Sequence, residues 1–261
     1  MVIRDWSSDV CSSDLAKAEI ARRCGIPSGR VLIAVTHAHS APSVMDFCLG
    51  SRKQADYAAL LPGRIAEAVA AAHARMEPAV AGSGACEAPG HTFNRRWIAK
   101  PGKEVTDPFG ERTGIAHMNP GYRHPDFIGP SGPVDAGLTF LAVQARGGRP
   151  IALLANFGNH YFGVSGGFSA DYFGVFARMM AERLCGTSGP GEGRFVAMMC
   201  QGTSGDLNRF DFRLAERPDV TIEGYTAGLA DLVEAAYRKV EFDGDVALAM
   251  AEMRLTLGRR L

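Results

Sequence analysis

The sequence predicts an α/β fold with a mixed central sheet flanked by helices, and three observations carry that expectation. Apolar, β-rich runs at residues 31–36 (VLIAVT), 151–157 (IALLANF) and 195–200 (FVAMMC) are interspersed with segments of helical period. Each of these runs leads into a polar loop, the arrangement by which α/β folds place chemistry at strand ends. The 261 residues are 46% hydrophobic and 21% charged, enough apolar material for one large domain or two small ones.

In chain order, residues 15–24 (LAKAEIARRC) have helical spacing and stop at Gly25 and Pro27. Residues 31–36 form a first expected strand, continuous enough to be buried on both faces. Residues 55–76 repeat Ala, Leu, Ile and Val at helical spacing, with Pro62-Gly63 expected to kink or divide the helix. A strand is expected over 79–86. Residues 89–133 are rich in Gly, Pro, Asn, His and Arg without a long apolar period, and a connection of that length is functional or disordered. Residues 138–144 (LTFLAVQ) and 151–157, joined through Gly147-Gly148, predict a hairpin whose second strand ends at His160. Residues 171–185 read as a helix stopped by Gly186, and Asp171 as its cap. Residues 195–200 read as a buried strand in which Met198 and Met199 fill the core, as Met179 and Met180 do on the preceding helix. Residues 221–240 read as a helix with Leu229, Leu232, Val233 and Ala236 on its apolar side, and 246–257 as a last strand. Residues 1–14 (MVIRDWSSDVCSSD) have no helix or strand period and resemble a translated sequencing-adaptor sequence, so the domain is expected over 15–261.

Composition excludes several functions. The 28 basic and 28 acidic residues cancel, so no whole-chain field recruits nucleic acid or an anionic membrane, and no nucleic-acid motif is present. No apolar run reaches the roughly 18 to 20 residues of a membrane span. The six cysteines form no CxxC pair, which excludes a zinc knuckle or a dense disulfide framework.

The chemistry gathers at strand ends. His37 and His39 leave the first strand, His160 leaves the hairpin, and Asp206 and Asn208 follow the strand at 195–200. Imidazole is the commonest zinc ligand, and a catalytic zinc takes three protein ligands and one open position. Two histidines two residues apart on an extended segment share a face, so one can bind metal while the other orients substrate or water. An HxH pattern alone fits a core histidine beside a surface one equally well. His91, His117 and His124 in the polar loop read as solvated, and His73 as a surface group. Trp97 suits either a cleft wall or a loop anchor packed on the core.

Taken together and in order, these segments resemble the N-terminal domain of neutral (neutral/alkaline non-lysosomal) ceramidases. Thr36-His37-Ala38-His39-Ser40-Ala41-Pro42 resembles the family's Thr-His-Thr-His-Ser-Gly-Pro motif, and Asn94-Arg95 its Asn-Arg-Ser-Pro segment. Asp135, Leu138-Thr139-Phe140 and the run from Ala155 to His160 are similar to its strand pair ending in the second metal-binding histidine. Ser169-Ala170-Asp171 with Gly174 resembles its Ser-Gly-Asp-x-x-Gly stretch, and Gln201 with Gly205-Asp206 its Gln-x-x-x-Gly-Asp-Val-Ser-Pro loop.

The resemblance implies a Zn2+-dependent hydrolase of a C–N amide bond in a lipid-amide or small-molecule substrate. It implies His37 and His160 as metal ligands and His39, Arg95, Asp206 and Asn208 as catalytic-loop groups, with Asn94, Arg95 and Trp97 meeting substrate. The family's remaining two ligands, a glutamate and a tyrosine, would lie beyond residue 261. Residues 15–261 are therefore expected to be a catalytic domain truncated at both ends and poorly active alone. Export, secreted or periplasmic, is common in the family. Asn208 stands where the family has a serine proposed as nucleophile, and asparagine cannot form an acyl-enzyme. The expected attacking group is then metal-activated water, with Asn208 as a possible oxyanion donor and Ser204 as a substitute hydroxyl. Hydrolysis of a different ester or amide, or metal binding without catalysis, is the alternative reading.

Overall fold

The computed structural model describes residues 10–44, 46, 52–107, 109–163, 167–186 and 195–253. In chain order the elements are α1 (Val10–Cys24), α2 (Ala55–His73), β1 (Ala79–Glu87), β2 (Phe93–Asn94), β3 (Arg96–Ala99), β4 (Ala116–Met118) and β5 (Phe127–Pro130). They continue with β6 (Gly137–Ala145), β7 (Pro150–Phe157), α3 (Asp171–Cys185), β8 (Val196–Gln201), β9 (Leu207–Asn208) and α4 (Ile222–Tyr237).

The central sheet has the order β1-β6-β7-β8. β1, β6 and β7 pair antiparallel, whereas β7 and β8 run parallel through α3, so the sheet is mixed as expected. Period-2 alternation turns Leu138, Phe140 and Ala142 of β6, Leu153, Ala155 and Phe157 of β7, and Ala197 and Met199 of β8 to one face. There they meet Tyr172, Phe176 and Met180 of α3 and Leu229, Val233 and Tyr237 of α4. Each large side chain buried in this layer contributes roughly 1.5–3 kcal/mol. Gly84 is required by that packing, because a Cβ there would stand 2.3 Å from Cζ of Phe140. The opposite face carries Leu141, Leu154, Val196 and Met198, between 38% and 54% exposed. Met198 therefore faces outward, contrary to the expected core filling, because alternation in β8 allows only Met199 to point inward.

Thr221 caps α4, its hydroxyl accepting from the Gly224 N–H at 3.0 Å. Gly186, at φ 67°, ends α3 in the left-handed turn that glycine favours.

Other expectations also need correction. Residues 31–36 form no strand and Leu32 is 79% exposed, because a β-rich run becomes a strand only where a neighbour supplies the ladder, and no described strand pairs with it. Residues 246–253 likewise form no strand, while 254–257 lie outside the described residues. Pro62 does not divide α2: it removes a single backbone hydrogen bond, and the Ala- and Leu-rich flanks carry the helix through. α1 begins at Val10, inside the segment set aside as patternless, since adding residues to an existing helix needs one hydrogen bond each and no apolar period. The loop at 89–133 holds β2 to β5, with β4-β3-β5 forming a small sheet and β2 pairing with β9.

Candidate metal and active site

The parallel register sets the site. Phe157 of β7 lies beside Gln201 of β8, so the two strands end together and release the 158–163 and 202–206 loops at the same edge. The Gly202 N–H donates to the Phe157 carbonyl at 2.9 Å, and a Cβ at Gly202 would press on Asn156, Phe157 and Gly158 at 3.0 Å. His160, 7% exposed, then has its Nδ1 3.1 Å from the Ser204 carbonyl. A carbonyl only accepts, so this bond puts the proton on Nδ1 and leaves Nε2 as a lone pair, the orientation that metal-binding histidines take from their outer partners.

The loop carrying His37 and His39 is tied to the residues before α3 by the Ser169 N–H, which donates to the Ser40 carbonyl at 3.0 Å. His37 sits at φ 57°, a left-handed conformation that costs a non-glycine residue about 1–2 kcal/mol. Its Nε2 lies 3.1 Å from Nε2 of His160 and 3.0 Å from Nε2 of His39. Ligand atoms of all three fall within 4.8 Å of one another. With His37 and His39 also protonated on Nδ1, the three Nε2 atoms would turn lone pairs toward one another, as ligands of one cation do. A cation holding imidazoles at about 2.0–2.1 Å would set neighbouring nitrogens about 3.3 Å apart, close to the observed spacing.

Electrostatics favours the neutral, ligating form of every ring. Burial lowers the pKa of His160 to about 4, helped by Arg95, against the Ser204 bond, which raises it. Burial, then His37 and Arg95, takes His39 to about 4, and burial with Arg95 lowers His37. Arg95 is itself half-buried, and desolvation, then Arg96, lowers its pKa. Its guanidinium donates to the Gly205 carbonyl through Nε at 3.3 Å and Nη2 at 2.8 Å. His39, the most exposed of the three histidines, stacks on Tyr161 with ring centroids 3.7 Å apart.

The remaining candidates are held by hydrogen bonds to the loops around the cluster. Asn94, 3% exposed, donates to Oδ2 of Asp206 at 3.2 Å and accepts from the Arg96 N–H at 2.9 Å. Asn208 is buried, its Nδ2 donating to Oδ1 of Asn119 and its Oδ1 accepting from Phe210 N–H, both at 2.9 Å. Trp97 donates to the Asn94 carbonyl at 3.3 Å and meets Phe212 edge to face, as a loop anchor does. Ser204 is buried, with its hydroxyl against Gln201. His117 and His124 are exposed, while half-buried His91 packs against Tyr225. Sequence reasoning missed Tyr161, whose one signal is its place after His160, and the Ser204 carbonyl, which has no side-chain signal.

No protein-family profile matches the sequence, and no curated protein matches it significantly. The fold does have solved counterparts. A neutral ceramidase from Pseudomonas aeruginosa superposes with a TM-score of 0.58 at 15% identity, over 87% of this chain and 34% of that one. A ceramidase complexed with C2 gives a TM-score of 0.54 at 15% identity, with the same coverage. The fold is thus ceramidase-like, and the chain spans about a third of the length of these structures. No described helix is long and apolar enough to cross a membrane.

Proposed function

We propose that this domain belongs to a zinc-dependent hydrolase acting on a C–N amide bond of a small-molecule or lipid-amide substrate. The observation that carries the reading is the convergence of three histidine Nε2 atoms with the His160 tautomer committed by Ser204. The ceramidase-like fold supports the substrate class. His37 and His160 are the assigned ligands, and an imidazole donor set suits zinc. Bound there, zinc supplies Lewis acidity, which polarises a carbonyl and brings the pKa of water toward about 7.

His39 stands on the exposed side of the cluster, stacked on Tyr161, where its neutral ring would contact substrate. Arg95 places a fixed positive charge beside the histidines, where oxyanion charge would develop. Asp206 and Asn94 fix the loop that presents Arg95, whose own N–H donates to the Asp206 carbonyl at 2.7 Å.

The engaged, buried amide of Asn208 favours one second reading, in which a related domain binds metal without catalysis. Zinc titration of the protein with His37→Ala and His160→Ala, alongside hydrolysis of N-acyl amides, separates these readings. Zinc binding and turnover lost in both variants support the hydrolase. Zinc bound without turnover supports the second reading, and zinc affinity unchanged in both variants overturns the assigned site.

A further inference from the structure

His160 lies beyond the end of β7, on a segment that belongs to no helix or strand, so something else must hold it in place. Ser204 and Gln201 hold His160 and Asn159 from one side, and the N–H groups at the far end of the segment donate to Asp171, the 2% exposed first residue of α3. Its Oδ1 accepts from the Phe162 N–H and from its neighbour Tyr172 N–H, both at 2.7 Å. Its Oδ2 accepts from the Gly163 N–H at 3.0 Å. On the far side of the same residue, the Phe162 carbonyl accepts from Nε of Arg209 at 2.9 Å. The peptides flanking Phe162 are therefore fixed from both directions, two residues after the ligand.

The same residue also reaches the other histidines. The Asp171 N–H donates to Oγ of Ser169 at 3.0 Å, and the Ser169 N–H donates to the Ser40 carbonyl next to His39. Asp171 holds this place at φ 53°, a conformation that a helix start does not require and that costs about 1–2 kcal/mol. A capping side chain would belong to the preceding position, which is Ala170 and makes no side-chain bond. The left-handed backbone turns the carboxylate back onto 162–163, away from a purely helical role.

We infer that Asp171 is a positioning residue of the histidine cluster, one that fixes the segment after His160 and, through Ser169, the loop of His37 and His39, and so helps set the ring of His160 against them for metal binding. The inference rests on the metal-site reading proposed above. Asp171→Asn is the sharpest probe, because asparagine tolerates the left-handed backbone and keeps one acceptor oxygen while turning an amide donor toward the Gly163 or Phe162 N–H.

Two readouts apply to the whole protein: cobalt(II) titration, followed by its visible d–d bands, and long-range 15N–1H correlation of the histidine rings in the metal-free protein. Asp171→Asn is expected to keep the near-ultraviolet circular dichroism of the wild type, to bind cobalt about 10- to 100-fold more weakly, and to alter its bands. The His160 ring should lose its single Nδ1–H tautomer, and Asp171→Glu should recover less than half of the affinity. Should Asp171→Asn fail to fold, Ser169→Ala, which removes only the hydroxyl that accepts from the Asp171 N–H, is expected to weaken cobalt binding in the same direction, and unchanged affinity there overturns the inference.

A folded Asp171→Asn variant with wild-type cobalt affinity, bands and His160 tautomer overturns the inference. Wild-type protein that binds no cobalt overturns the metal reading instead, and the His160 tautomer then decides the positioning role by itself.

Discussion

Acidifying the metal-free protein should destabilise it through His160, by an amount the structure allows to be worked out. Burial holds its native pKa at about 4, while an unfolded imidazole titrates near 6.5. The native state thus prefers the neutral ring. Its contribution to stability is complete above about pH 6.5 and is lost as pH falls toward about 4, because only the unfolded chain takes up the proton in that window. At pH 5.5 the unfolded ring is about 90% protonated and the native ring about 3%. Integrating from pH 7.5 gives about 1.3 kcal/mol, which screening through the open side of the site reduces to about 1 kcal/mol. Urea unfolding with chelator present, at pH 7.5 and 5.5, should show that much less pH dependence in His160→Gln than in the wild type. Equal pH dependence in the two proteins would refute the reasoning.

Further outcomes follow from other residues. His37→Gly should abolish zinc binding while leaving metal-free stability within about 1 kcal/mol of wild type, because glycine relieves the left-handed strain at φ 57°; zinc titration and urea denaturation check both halves. Gly84→Ala should cost roughly 1–3 kcal/mol in a denaturant midpoint assay, since its Cβ would meet the Phe140 ring at 2.3 Å. Phe176→Ala, at a position with no exposure, should cost about 3–5 kcal/mol in the same assay. Thr221→Ala should remove the α4 cap and about 1 kcal/mol.

The parts of the fold legible in the sequence are those whose pattern is imposed by their own neighbours along the chain. The hairpin β6–β7 and the helix α3 appear where alternation, helical period and a stop at Gly186 said they would. Residues 31–36 have the composition of a strand, but a strand also needs a partner, and composition says nothing of where one lies. β2 to β5 are two to four residues long, too short to show a period. The same division runs through the site. His37, His39 and His160 could be singled out because their side chains carry the chemistry, and the structure brings their Nε2 atoms together. Asp171 read as a helix cap, since nothing in the letters reveals a positive φ that turns its carboxylate toward Phe162 and Gly163. Trp97 and Asn208 read as site residues by position, while their described hydrogen bonds run to the scaffold.

The metal ion proposed at His37 and His160 is open to spectroscopic test. Zinc K-edge X-ray absorption of the zinc-loaded protein tests it most directly. Outer-shell imidazole scattering from at least two histidines is expected, with nitrogen neighbours at about 2.0–2.1 Å, and it should fall in His37→Ala and in His160→Ala. Zinc surrounded by oxygen alone, or imidazole scattering unchanged in both variants, would contradict it.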